Sequence, residues 1–303
     1  MKRISEVTEP HLPPLTDYVR LLEGIWERRR LTNGGPLVQE FEHQLRSYLE
    51  STSSLHCVAN GGLALQLLMK AMKVSGEIIT TPYSYVATTS CPLWEGCHPV
   101  FADIDDRSLN LDPAAVAAAI TPRTEAVLAT HVFGNPCDIE ALQSLCDQHG
   151  IALLFDAAHA FGVKHQGRSI LEFGDAAMVS LHATKLIHSV EGGIISTRNP
   201  EVSRKLEWMR RFGHDGTENY HGVGINAKMS ELHAAMGLCV LQEADSILQL
   251  RRQRVTQYLE GLETMDGLRF AFDLQPGTEW NFCYLPVRFD HVEDLTRCKD
   301  SLA

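Results

Sequence analysis

The middle of this 303-residue chain predicts an α/β fold, a mostly parallel sheet covered by helices. Two observations carry the prediction. Short apolar runs alternate with longer amphipathic ones from Leu55 to Thr197, which is the rhythm of βαβ units. Several of the short runs, such as Ala126 to Thr130 and Ile151 to Phe155, are apolar throughout rather than alternating, as expected when helices cover both faces of a strand.

In chain order, Thr16 to Arg30 reads as a helix. Its closing Arg28-Arg29-Arg30 run suits the negative end of the helix dipole better than it suits a phosphate-binding patch. Strands are expected at Leu55 to Ala59, Glu77 to Thr80, Pro99 to Asp103, Ala126 to Thr130, Ile151 to Phe155, Ala177 to Leu181 and Gly193 to Thr197. Helices are expected between them at Leu63 to Lys73, Tyr85 to Trp94, Pro113 to Ala119 and Ile139 to His149. After Thr197 the texture changes. Pro200 to Arg211 and Lys228 to Glu263 read as long helices, Phe282 to Phe289 as a strand, and Val292 onward as a last helix. A boundary near residue 245 divides a large domain, 1–245, from a partial small α+β domain, 246–303.

Composition narrows the function. Charged residues make up 21% and hydrophobic residues 44%, as in a globular enzyme. The formal net charge of -11 argues against a nucleic-acid or anionic-membrane partner. No apolar stretch is long enough to span a bilayer, and no apolar core follows Met1-Lys2-Arg3, so no signal peptide is expected and the cytosol is the expected compartment. None of the eight cysteines forms a C-x-x-C pair, so neither a disulfide framework nor a structural zinc is expected.

Four short stretches carry candidate chemistry. Asn60-Gly61-Gly62-Leu63 opens a helix after a strand, where bare backbone N–H groups can approach an anion; an ordinary strand-to-helix turn reads the same way. Thr81-Pro82-Tyr83-Ser84-Tyr85 begins an aromatic-rich helix, and Tyr85 could stack on a planar ring or pack half-buried. Asp156 ends an apolar strand, where an unpaired carboxylate is costly and where ligands of open α/β sheets sit. His159 lies three residues on, close enough to face the same pocket. Ser180 ends another apolar strand and could hydrogen-bond a phosphate; Lys185 follows in a stretch too short for a helix, just before Glu191-Gly192-Gly193. A lysine, a strand-end aspartate and a phosphate-sized glycine turn are what a pyridoxal phosphate enzyme needs.

The order and spacing of these pieces make the chain resemble the DegT/DnrJ/EryC1/StrS family of pyridoxal-phosphate-dependent nucleotide-sugar aminotransferases. The resemblance runs from Pro13 onward. It is strongest at Phe155-Asp156-Ala157-Ala158-His159-Ala160-Phe161-Gly162, at Ser180-Leu181-His182-Ala183-Thr184-Lys185 and at Gly224-Ile225-Asn226-Ala227-Lys228-Met229-Ser230-Glu231, with support from Leu31 to Pro36 and His131 to Pro136. It implies the aspartate-aminotransferase fold (fold type I), with active sites at a homodimer interface. It implies that Lys185 bonds to the cofactor aldehyde and then moves a proton, that Asp156 partners the ring nitrogen and that Tyr85 stacks on the ring. Ser180 with Gly61 and Gly62 matches the phosphate cradle. His159 stands near the cofactor face, where many relatives have glutamine. Asn226 matches an asparagine that reaches the phosphate of the neighbouring subunit.

The implied reaction moves an amino group from L-glutamate to a keto group of a nucleotide-linked deoxysugar. The local wording is nearest to the branch acting at C4 of dTDP-4-keto-6-deoxyglucose. Relatives usually carry threonine or serine where Gly62 stands. They also continue beyond the position of Ala303, so the small domain is expected to be incomplete and the strand at Phe282 to Phe289 to lack partners. A rival reading is a non-catalytic relative that binds the cofactor or a sugar nucleotide, or serves as a partner subunit. Another, resting on histidine count alone, is a metal-dependent hydrolase using His159, His182 and His188.

Overall fold

A computed structural model describes residues 8–216 and 218–302. Its centre is a seven-stranded sheet of β1 (Ser54–Val58), β2 (Glu77–Thr80), β3 (His98–Phe101), β4 (Thr124–Thr130), β5 (Ala152–Asp156), β6 (Ala176–Ser180) and β7 (Gly193–Thr197). The spatial order is β1-β7-β6-β5-β4-β2-β3. Strands β3, β2, β4, β5 and β6 pair in parallel. Strand β7 runs antiparallel to both of its neighbours, β6 and β1. The carboxyl ends of the parallel strands therefore share one edge, and the reversal at β7 folds the chain back at that edge.

The helices are α1 (Leu15–Arg28), α2 (Pro36–Tyr48), α3 (Gly61–Ala71), α4 (Ala87–Trp94), α5 (Pro113–Ala119), α6 (Ile139–His149), α7 (Pro200–Met209), α8 (Glu231–Gln242), α9 (Ala244–Leu262) and α10 (Val292–Leu302). Local chemistry sets many of their ends. Side chains of Asn60, Asp112, Asp138, Asn199 and Ser230 accept from first-turn N–H groups, each such cap being worth about 1 kcal/mol. Gly150 closes α6 at φ +65°, a left-handed position that a side chain would strain.

The uniformly apolar strands are explained by packing on both faces. Val127, Ala129, Leu153 and Phe155 join Phe41 and Leu45 of α2, Leu142 of α6 and Leu238 of α8 in one buried cluster. The alternating Ala126, Leu128 and Leu154 join Leu65 and Leu68 of α3 and Leu206 of α7 on the other side. Successive side chains of a strand point to opposite faces, so two buried faces demand an unbroken apolar run.

Several boundaries differ from the sequence reading. Helix α4 begins at Ala87, and Tyr85 lies in the bend before it. The expected helix Lys228 to Glu263 is two helices starting at Glu231, because Lys228 pairs across to Val58 as an isolated bridge and Ser230 caps α8. The expected strand Phe282 to Phe289 shortens to Val287–Phe289, and it does have a partner: it pairs antiparallel with Leu268–Phe270. Residues 282–286 form no ladder, because the aromatic spacing there serves a third cluster. That cluster packs Phe282, Leu285, Phe270, Phe272 and Trp280 against Val255 of α9 and against Leu109. Two-residue ribbons at Lys164–His165, Arg168–Ser169 and Thr278–Glu279 form a small sheet that periodicity did not reveal.

Candidate active site

The site is assembled at the carboxyl edge of the parallel strands. Asp156 is the last residue of β5 and is only 5% exposed. One carboxylate oxygen, Oδ2, accepts from the Thr88 hydroxyl of α4 at 2.8 Å, and Oδ1 accepts from the Ala158 N–H at 3.0 Å. Burial pushes the acid's pKa up; the Ala158 N–H, the Thr88 hydroxyl and the Lys185 charge pull it down, and burial prevails. A carboxylate offers about four lone-pair positions, so Asp156 keeps acceptor capacity for a cationic partner.

Lys185 sits in the loop from Leu181 to Gly192 between β6 and β7. Both feet of that loop are tied. Ser180 pairs with Gly193 in the sheet, the Leu181 N–H donates to Gly192 O at 2.9 Å, and the Ser189 N–H donates to Leu181 O at 2.9 Å. Inside the loop the Lys185 N–H donates to His182 O at 2.8 Å. Burial pushes the ammonium's pKa down, while the charges of Asp156 and Cys283 pull it up. Burial thus favours the neutral form of both Asp156 and Lys185, as desolvation does for acid and base alike.

The anion-binding end is built from β1, α3 and β6. After β1 the Ala59 N–H donates to Ala227 O at 2.9 Å, and Asn60 caps α3 by accepting from the Leu63 N–H at 2.8 Å. A Cβ on Gly61 would stand 2.9 Å from Met178 Cε and 3.3 Å from Ser180 Cβ. The absence of a side chain at Gly61 is therefore what lets the helix start lie against Ser180. First-turn N–H groups lack intrahelical partners and the helix dipole favours negative charge there. Gly62 differs. A Cβ there would meet only Asn60 Oδ1 at 3.4 Å and Cys91 Sγ at 3.7 Å.

His159 is held by rings. It stacks near Phe133 (centroids 6.2 Å apart, 11° between planes) and tilts against Tyr284 at 4.8 Å. Burial, with the Lys185 charge behind it, lowers its pKa to about 3, so the imidazole stays neutral. Its Nδ1 is buried without a hydrogen-bond partner, which is expensive in an apolar pocket.

Lys185 is thus close enough to perturb both Asp156 and His159 electrostatically, and Gly61 meets Ser180. Tyr85 and Asn226 stand apart. Among the described residues neither makes a ring contact or a side-chain hydrogen bond to that group. Tyr85 is 74% exposed beside α4. Asn226 is exposed, and its side chain accepts from the Lys228 ammonium.

Four residues escaped the sequence reading. Thr88 lies in a helix whose polarity signals nothing, yet it is fully buried against Asp156. Asn281 is 2% exposed and donates to His159 O and Phe161 O, both at 2.9 Å, while its Oδ1 accepts from the Cys283 N–H at 3.2 Å. Cys283 and Tyr284 line the space beside Lys185 and His159. The expected strand had absorbed them, and only the tertiary fold brings them to the lysine.

The histidines of the hydrolase reading are engaged separately: His182 with the Thr184 hydroxyl, His188 with His11 O, and His159 with Tyr284. Among the described residues no set of three His, Cys, Asp or Glu side chains is arranged to hold a metal.

The residues fit pyridoxal phosphate. Ser180 and the α3 N-terminus suit a phosphate, Asp156 has lone pairs for a protonated ring nitrogen, and Lys185 is a partly desolvated amine within electrostatic reach of Asp156. The family model for DegT/DnrJ/EryC1/StrS aminotransferases matches residues 16–301. The chain belongs to that aminotransferase family. Members of the DegT/DnrJ/EryC1/StrS family to which it is similar include a dTDP-4-amino-4,6-dideoxy-D-glucose transaminase of Shigella dysenteriae, 38% identical over 98% of this chain and 80% of the relative. A transaminase of the same name from Escherichia coli is 35% identical over 96% of this chain and 78% of the relative. Among solved structures, DesI, crystallised in the presence of its TDP-sugar product, superposes with a TM-score of 0.93 at 34% identity, covering all of this chain and 78% of DesI. The family and the shared sheet make the protein a fold type I, pyridoxal-phosphate-dependent aminotransferase of sugars.

Proposed function

We propose that this aminotransferase moves the amino group of L-glutamate to C4 of dTDP-4-keto-6-deoxyglucose, at sites shared between two copies of the chain. The observation that supports the chemistry most directly is half-buried Lys185 within electrostatic reach of Asp156 at the end of β5, with Gly61 laid against Ser180. The sugar is carried over from the names of the two dTDP-4-amino-4,6-dideoxy-D-glucose transaminases.

Pyridoxal phosphate supplies an aldehyde for the amino group and a protonated ring that accepts electrons. The chain's own residues do the rest. Ser180 and the first N–H groups of α3 anchor the phosphate. Asp156, fixed by Thr88 and the Ala158 N–H, holds the proton on the ring nitrogen. Lys185 Nζ would take a proton from the amino donor's carbon in the first half-reaction and deliver one to the carbon that receives nitrogen in the second. A base matched to neutral pH serves such a step best, and burial moves Lys185 in that direction. His159, neutral and pinned by Tyr284 and Phe133, lines the approach to Lys185 and excludes water there.

The dimer is supported by what the single chain leaves open. Tyr85, Val86, Trp94, Tyr220 and Val223 are between 61% and 83% exposed, more apolar surface than an isolated subunit gains from showing to water. In a two-fold pair, exposed Asn226 of one copy would turn from Lys228 toward the phosphate end of the other. No described helix is long and apolar enough to cross a membrane, and we place the reaction in the cytosol.

The test is spectroscopic. Purified protein mixed with pyridoxal phosphate should develop a visible band that Lys185→Ala lacks. L-glutamate should then convert the band to that of the amine form, and dTDP-4-keto-6-deoxyglucose should restore it. A protein that shows no Lys185-dependent band, or a band that glutamate leaves untouched, would end this reading. Light scattering that finds only single chains would remove the shared site.

A further inference from the structure

Phe133 has a backbone that its own side chain disfavours. It lies in the short turn Val132–Gly134 after β4, at φ 54° and ψ 23°, a left-handed conformation that is costly for a residue with a Cβ. Such a residue persists only where its surroundings hold it. The Phe133 carbonyl accepts from Trp280 Nε1 at 2.8 Å and from the Cys283 thiol at 3.2 Å. A Cβ on Gly134 would stand 2.7 Å from Asn281 Oδ1 and 2.9 Å from His159 O, so the turn lies tight against the loop after β5 and against the C-terminal segment.

The ring held this way is central to the site. It stacks near His159 and meets Tyr284 and Tyr83 edge-on, at 6.1 and 6.4 Å between centroids. Two residues before it, the His131 N–H donates to Asp156 O at 3.0 Å. His159 in turn lines a narrow cavity whose titratable groups are Lys185, Arg251, Cys283 and Tyr284. Trp280 is not among the residues lining that cavity. It is 9% exposed and packs against Phe270, Phe272 and Phe282. An indole has a single N–H donor, and here that donor is spent on Phe133 O.

We propose that Trp280 and Phe133 are positioning residues acting in series: the indole N–H holds Phe133 in its left-handed backbone, and the ring so placed fixes the His159 imidazole beside Lys185 and keeps water from it. The inference rests on the aminotransferase reading for what the imidazole serves, and on the geometry for the chain of contacts. Packing alone would need the bulk of Trp280 but not its N–H, and the experiment separates the two.

Trp280→Phe keeps an aromatic ring in the cluster and deletes the donor. The first readout needs no cofactor: it is the pH dependence of the His159 ring C–H resonance, identified by its loss in His159→Gln. In wild type this signal should stay flat from about pH 5.5 to 8, because burial holds the pKa at about 3. In Trp280→Phe and in Phe133→Leu, water reaching the imidazole should raise the midpoint toward its ordinary value of about 6.5. Phe133→Tyr, which keeps a ring, should behave as wild type. A signal that stays flat in Trp280→Phe overturns the proposal. So does an equal release in Phe270→Leu, which trims the cluster beside Trp280 and leaves the donor in place, because the effect would then be one of general packing.

The second readout is the half-saturating concentration of pyridoxal phosphate, followed by the Lys185-dependent band. Trp280→Phe and Phe133→Leu should each raise it about fivefold, the scale of one aromatic pair, and the double variant should raise it no further. Effects that multiply in the double variant overturn the serial arrangement. A wild type that lacks the band removes the aminotransferase reading and leaves the His159 titration to decide the contacts. A normal band together with a flat His159 signal in Trp280→Phe removes this inference alone. Should Trp280→Phe not fold, the indole N–H of Trp280 in wild type decides: it should exchange slowly with solvent, and rapid exchange overturns the proposal.

Discussion

The Thr88 hydroxyl donates to Asp156 Oδ2 at 2.8 Å, joining the first turn of α4 to the end of β5. A hydrogen bond to a charged acceptor is worth about 1.5–3 kcal/mol. Thr88→Val keeps the shape and removes the donor. We expect affinity for pyridoxal phosphate, followed by the visible band, to fall about tenfold or more by that arithmetic, with a shift of no more than a few degrees in melting temperature. Unaltered affinity would show that the Ala158 N–H alone suffices to hold Asp156.

Asp156 itself should be held at a cost to stability. Its folded pKa is raised by burial. A raised acid pKa means the folded state retains a proton that the unfolded chain has released, so stability falls as pH rises from about 3.8 through the folded value. Asp156→Asn removes that penalty. Without cofactor, Asp156→Asn should melt no lower than wild type near neutral pH, and its advantage should shrink as the pH falls toward the unfolded value. Cofactor binding should be severely weakened in the same variant. Thermal scans from acid to neutral pH give the first result and the band gives the second; a neutral-pH melting temperature well below wild type would contradict the sign.

The two glycines at α3 should respond in opposite ways. Gly61→Ala brings a methyl within 2.9 Å of Met178 Cε and 3.3 Å of Ser180 Cβ, which should push the helix start off Ser180 and weaken cofactor binding. Gly62→Ser meets nothing nearer than 3.4 Å. It gains about 0.5 kcal/mol from replacing a helical glycine, and a hydroxyl donor at the phosphate end. Pyridoxal phosphate should bind it about fivefold to tenfold more tightly, consistent with one added charge-assisted bond partly offset by ordering. Titrations that gave weaker binding for Gly62→Ser would show that the α3 turn holds the phosphate without room for a side chain.

Asn281 joins the C-terminal segment to the loop after β5 through its bonds to His159 O, Phe161 O and the Cys283 N–H. Asn281→Ala leaves buried carbonyls unpaired, at about 1–3 kcal/mol for such a group. Urea unfolding should show a loss of about 2–4 kcal/mol on that basis, and the pocket around His159 and Tyr284 should loosen, with poorer retention of cofactor. A loss under 1 kcal/mol would mean that ordered water replaces the amide.

Much of this architecture was readable because burial on both faces leaves an unmistakable mark. Strands β4 and β5 are continuous apolar runs for that reason, and their ends delivered Asp156. Order and spacing along the chain single out Lys185 and Ser180, and the structure sets the first in the loop after β6 and the second against Gly61. Thr88 was not, because a threonine in a short helix carries no sign of the carboxylate it will meet from a strand 68 positions away. Residues 282–286 were misread as strand because aromatic residues spaced for a cluster around Trp280 mimic the alternation of a ladder. Asn281 became visible only when the fold placed distant segments together. The sequence places Tyr85 at the start of a helix, and that helix starts two residues later, at Ala87.

The reversed direction of β7 has a kinetic meaning. Because β7 returns beside β6, the loop bearing Lys185 is anchored at Ser180 and Gly193 on adjacent strands. The entropy lost in bringing those ends together is settled when the sheet forms. Under the proposed reading, the lysine would begin each turnover already confined near its target, with the effective concentration of its amine set by a hairpin rather than by diffusion of a flexible arm.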